Sequence, residues 1–189
     1  MNQILTWLSG GDLRSDGMAD EAAQFVLKNP QIIDDLMVGL SESDDVIRGR
    51  TADALEKIAR QRPDLLIEHL HQMVDQVGIE QVPMVKMHLA MIFGHLVIYE
   101  DSVEQLISVL YDLLEDESVF TRSWAIASLC IIGRKYPREC QRILNRLSQL
   151  QGDPSVAIRS RTTKALEILT NPKKEFPKGW VKSEHLQDT

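Results

Sequence analysis

The residues that could carry chemistry are few, and their spacing argues against most uses. Of the five histidines, His88 and His95 stand seven positions apart. On a helix they would share a side, but about 10.5 Å of rise would separate them, too far for one metal ion. His69 and His71, two apart, diverge on a helix; His69 is expected in or near the core. The two cysteines, Cys130 and Cys140, form neither a disulfide framework nor a metal cluster. They read as small core residues in a reducing, cytoplasmic protein. Gly10, Gly11 and Gly17 make no phosphate-binding loop, and no Ser/His/Asp set can be assigned from spacing. The expectation is therefore no catalytic residue, no metal, no cofactor and no enzyme.

Basic residues give a second possibility. Arg134, Lys135, Arg138, Arg142 and Arg146 cluster, and Arg138, Arg142 and Arg146 fall four apart, on one stripe of a helix. Overall the chain is acidic, with 21 Lys and Arg against 28 Asp and Glu, a net charge of −7. The distribution is uneven. Residues 1–117 hold 8 basic and 22 acidic side chains, whereas residues 118–182 hold 13 basic and 4 acidic. The basic end is an alternative nucleic-acid-binding surface, and opposite ends of opposite sign also allow head-to-tail self-association.

These side chains need elements to position them, and the chain supplies the elements by repetition. An acid stands six residues before a base four times: Glu42 and Arg48, Glu80 and Lys86, Asp116 and Arg122, Asp153 and Arg159. Small or apolar residues follow each base at fixed offsets: Ala54, Ile92, Ser128 and Ala165 at six; Leu55, Phe93, Leu129 and Leu166 at seven. That periodicity is helical. A second amphipathic segment precedes each acid, at roughly 31–41, 64–77, 102–115 and 138–150. Pro30, Pro63 and Pro137 stand near the starts of three of them, and Asp44 and Asp153 read as starts of the following helices. Residues 1–9 and 15–28 would form a first, divergent pair.

The recurring acid, base, alanine and leucine resemble the HEAT-repeat (armadillo-like) pattern over residues 1–170. The fold expected is all-α: a right-handed α-solenoid of about five HEAT-type helix pairs, near 1–28, 31–61, 64–98, 102–134 and 138–170, with residues 171–189 as a C-terminal capping extension. The resemblance implies a ladder in which Glu42, Glu80, Asp116 and Asp153 pair with Arg48, Lys86, Arg122 and Arg159 of adjacent units. It also implies that the second helix of each pair lines a concave face.

Positions opposite the apolar stripe would then point into that groove. They give Arg50, His88, Met91, His95, Trp124, Ile131, Arg161 and Lys164 as partner-binding residues, with an apolar centre around Trp124. The function expected is a non-catalytic scaffold or adaptor that binds another protein or peptide along the concave surface. A glycosylase-like use of the fold would want a carboxylate beside aromatics, and Asp53 stands two repeats from Trp124. The tail, with Phe176 and Trp180 among lysines and prolines, is expected to wrap the last repeat. No membrane role is expected: the apolar runs 89–93 and 125–133 are too short to span a bilayer, and Met1–Leu8 does not read as a signal peptide.

Overall fold

The computed structural model describes residues 3–186. All regular structure among them is helical: eleven α-helices joined by short 3-10 turns. The chain divides into two compact units, residues 1–92 and 93–189.

The first unit contains α1 (Gln3–Leu8), α2 (Ala19–Lys28), α3 (Ile33–Met37), α4 (Asp45–Gln61), α5 (Asp64–Ile67), α6 (Leu70–Ile79) and most of α7 (Pro83–His95). Helix α4 is central, with α1, α2 and α3 packed on it. Its Ala52, Ala54 and Ala59 are wholly buried, and small side chains let neighbouring helices come close. The 3-10 turn Val38–Ser41 comes closest of all: a Cβ on Gly39 would stand 2.2 Å from Thr51 Oγ1 and 2.8 Å from Leu5 Cδ2. Asp44 caps α4 by accepting the Val46 amide at 2.8 Å. The segment expected as one helix over 64–77 is two, because the chain turns at Glu68–His69, where the His69 amide bonds the Leu66 carbonyl at 3.0 Å.

Arg50 corrects one expectation. The helical spacing places it in an open groove, yet it is 5% exposed. Its guanidinium gathers the loop after α1, donating to the carbonyls of Leu8 (3.0 Å), Ser9 (3.2 Å), Gly10 (2.7 Å), Asp12 (3.2 Å) and Ser15 (3.1 Å). A loop has no ladder to satisfy its carbonyls, and the planar fork of an arginine supplies five N–H groups from one rigid centre. Gly17, at φ +57°, completes the cradle; a Cβ there would meet Arg50 Cζ at 2.6 Å.

The second unit contains the end of α7, α8 (Val103–Leu113), α9 (Val119–Lys135), α10 (Pro137–Ser148), α11 (Val156–Thr170) and the segment that follows. Helices α8, α10 and α11 all pack on α9. Residues Ala125–Gly133 are buried without interruption, so α9 is apolar on every side, as a central helix must be. A Cβ on Gly133 would lie 2.8 Å from Leu169 Cδ2, which fixes how closely α11 sits.

One arrangement recurs at the helix starts. Asp116 accepts the Ser118 amide at 2.8 Å, and Asp153 accepts the Ser155 amide at 2.8 Å. Ser118 and Ser155 then cap α9 and α11 with their hydroxyls, so the cap of α11 is Ser155 rather than Asp153. Glu80 does the same before α7, accepting the Gln81 and Val82 amides, each at 2.8 Å. Arg48 bridges from α4 to Glu80 (3.0 Å), and Arg122 from α9 to Asp153 (2.5 Å). Arg48 also donates to the Glu42 and Ser43 carbonyls, at 2.8 and 3.1 Å; Glu42 meets it there through its backbone. Arg159 likewise bonds the Asp153 and Pro154 carbonyls, at 2.6 and 3.0 Å.

Burial alone would raise the Glu80 pKa, but hydrogen bonds from Arg48, Val82, Gln76 and Gln81 outweigh it and hold the carboxyl below its ordinary 4.5. The stabilisation is therefore complete above that pH and is lost as pH falls through the lower folded-state value. Glu80→Gln should cost about 3 kcal/mol at neutral pH, since it strands a half of a buried pair. In urea melts the gap to wild type should close below pH 4.5. Arg50→Lys should cost about 2 kcal/mol, because an ammonium cannot reach five carbonyls at once. Amide exchange in residues 9–17 should rise with that loss; unchanged protection there would show that the loop holds without Arg50.

Candidate functional site

The predicted groove residues do not share one open surface. Met91 (4% exposed), His95 (3%) and Ile131 (2%) are core residues, and His88 is buried as well. The pattern misplaced them because it treats each second helix as amphipathic, whereas α7 and α9 are apolar nearly all round. Lys164 is exposed on α11. Trp124 and Arg161, both half-buried, come together in the second unit, and the chain itself covers them.

That cover is the tail. Helix α11 ends at Thr170, and residues 171–183 continue without a helix. Arg134, expected to be free for phosphate, instead holds the start of this segment. It donates to the carbonyls of Ile168 (2.7 Å), Asn171 (3.2 Å), Pro172 (2.9 Å) and Lys174 (2.9 Å), and lies 5.5 Å from the Phe176 ring centroid. A turn over Pro177–Trp180 follows, closed by the Trp180 amide on the Pro177 carbonyl at 3.1 Å. Gly179 sits at φ +85°, the third position of a turn that favours glycine. The turn delivers Trp180 to the helices, where it is buried, and Ser183 and Leu186 follow it inward at a spacing of three.

Arg161 is the centre of the contact. Its Cζ lies 4.8 Å from the Trp124 ring centroid and 4.5 Å from that of Trp180. Cation–π attraction of this kind strengthens as water is excluded. Its Nε donates to the Ser123 carbonyl at 2.9 Å. Lys182 Nζ approaches Trp124 at 4.8 Å. Burial pulls the Arg161 guanidinium down to about 10, so it stays charged at neutral pH. The spacing makes Trp124 an open groove anchor; in the structure it is a platform already in use. Sequence reasoning missed Trp180 as its neighbour, because nothing in the repeat period connects a tail residue to a particular helix.

The basic stripe is also engaged. Arg138 pairs with Glu100 (3.0 Å) and Glu139 (3.2 Å). Arg142 meets Glu104 (2.6 Å) and Glu139 (2.5 Å), and Arg146 pairs with Glu115. Lys135 lies over the Tyr136 ring, 6.0 Å from its centroid. The stripe reads as basic only when Glu139 on its own helix and the acids on other elements are left out. A phosphate chain would have to displace those carboxylates.

In the first unit, Asp53, Glu56 and His88 present ligand atoms within 4.8 Å of one another. Each carboxylate already carries a cation. Lys57 bonds Asp53 at 2.9 Å and also contacts Asp20; Arg60 donates to Glu56 through Nε at 2.9 Å and pairs with it again through Nη2. Each of the two carboxylates thus has a cation beside it, with Lys57 shared between Asp53 and Asp20. His69, half-buried, lies 3.3 Å from Asp34.

No family model matches the chain, and no curated protein does. Among solved structures, one described as "Crystal Structure of Engineered Protein" matches with a TM-score of 0.63 and 15% identity, over 88% of this chain and 78% of that one. At that identity the likeness concerns the fold alone. Among the described residues, no helix is long and apolar enough to cross a membrane.

The two cysteines are free. Burial pushes the Cys130 thiol up to about 12 and raises that of Cys140 as well. Their sulfurs face the carbonyls of Ala165 and Leu169, each at 3.7 Å. A thiol reagent at pH 8 should therefore leave Cys130 unmodified in the native protein and label both only after unfolding. Rapid native labelling of Cys130 would mean that the packing of α9 on α11 opens readily.

Proposed function

We propose that this chain is a HEAT-type α-solenoid acting as a non-catalytic interaction scaffold for another protein, in a reducing, cytoplasmic setting. Three observations support the architecture. The acid and base recur four times in sequence. Arg48 with Glu80, and Arg122 with Asp153, link the base of one helix pair to the acid of the next. All regular structure among the described residues is helical.

The observation that carries the function is the tail. Arg134 on α9 holds an irregular polypeptide segment by its carbonyls, Arg161 on α11 stacks on its buried indole, and Ser183 and Leu186 are buried farther along it. A surface that takes a chain in cis has the chemistry to take one in trans.

The test is capture from native lysate after nuclease treatment, with lysine cross-linking and mass spectrometry. Proteins should be recovered in stoichiometric amounts and cross-link through Lys164 on α11 and Lys174 in the tail. Recovery of nuclease-sensitive material alone would overturn the reading in favour of nucleic acid.

A further inference from the structure

The tail is an incomplete ligand for the face it covers. It stacks an indole on Arg161 but gives that cation no anion. Arg161 Nη2 is shielded from solvent and has no hydrogen-bond partner. Among the described residues no carboxylate pairs with this guanidinium, whose Nε takes only the Ser123 carbonyl. A buried charged donor left unbonded is costly, so a ligand that stacks and also supplies a carboxylate would bind better than the tail does.

We propose that the face of α9 and α11 around Trp124 and Arg161 recognises an acidic, extended peptide bearing an aromatic side chain, and that residues 176–186 are a built-in competitor which such a peptide displaces. This rests on the scaffold reading above and names the partner's chemistry. The aromatic side chain takes the position of Trp180, and a neighbouring carboxylate bonds Arg161 Nη2. Charge agrees locally: Arg161 Cζ and Lys182 Nζ each lie 4.8 Å from the Trp124 ring centroid. Single-stranded RNA also combines rings with negative charge, but it needs a track of free cations for its phosphates. Arg138, Arg142 and Arg146 are held by glutamates, whereas an extended polypeptide already fits. The cis tail has the advantage of a high local concentration, so the intact protein binds weakly until the tail is loosened.

The experiment uses the full chain and fluorescence anisotropy. The probe is a fluorescein-labelled decapeptide with one Trp flanked on each side by two Glu; controls are its Gln counterpart and a labelled ten-nucleotide oligouridine. Trp180→Ala removes the competing indole, and Gly179→Ala disturbs the turn that aims it while keeping the indole. Both should bind the acidic peptide at least ten-fold more tightly than wild type. Arg161→Gln in the Trp180→Ala background should return affinity to the wild-type level, and the Gln peptide should bind ten-fold more weakly. Equal affinity for the Gln peptide, preference for oligouridine, or no gain in either variant would overturn the proposal. So would loss of a cooperative thermal melt in both variants, because the tail would then be part of the core. Successful capture of a protein alongside a failed peptide assay would retire this proposal and leave the scaffold reading standing.

Discussion

A carboxylate buried at the mouth of a helix sets the geometry of each turn around it. Glu80 and Asp153 stand where one helix has ended and the next has not begun, and backbone amides there have no intrahelical partner. Each carboxylate takes the amide two residues ahead, which shapes the turn, and offers its other oxygen to an arginine from the preceding helix pair. One side chain thus couples the local start of a helix to its placement against a neighbour. The coupling explains why the acid precedes the helix by a fixed distance: moved by one residue, it could serve the turn or the arginine, but not both.

Arginine does complementary work on carbonyls. Arg48 and Arg159 satisfy carbonyls of their own turns, Arg50 those of the loop after α1, and Arg134 those of the segment after α11. Many short connections leave many unpaired carbonyls, and a guanidinium can satisfy several without a matching side chain. Much of the basic charge is therefore internal to the fold or matched across it, and the counts by region overstate what a partner would meet.

The helical period and the recurring acid and base carried most of the secondary structure, because offsets within a helix are a local property. The position of α9 was not legible. Its Ala127 and Ile131 stand opposite the apolar stripe, and only the packing of α8, α10 and α11 shows that both sides are buried. Asp116 with Ser118, and Asp153 with Ser155, formed a readable acid-x-serine signal that the longer repeat obscured. Trp124 and Arg161 appear in the sequence as separate groove positions, an apolar anchor and a polar contact, and the structure brings them together. The contact that covers them depends on where an irregular tail turns back, and no periodicity encodes that.

Arg50 has a consequence for what the loop over residues 9–17 can become. The guanidinium reads five carbonyl oxygens, and a carbonyl is the same whichever amino acid bears it. The loop is thus recognised as a path rather than as a text. Its other side chains are open to rewriting, provided that Gly10, Gly11 and Gly17 keep their positive φ and Leu13 its packing against Gly49. Between relatives, or in a library, its letters could drift while its shape persisted. That makes it a natural place to graft a foreign epitope onto the protein.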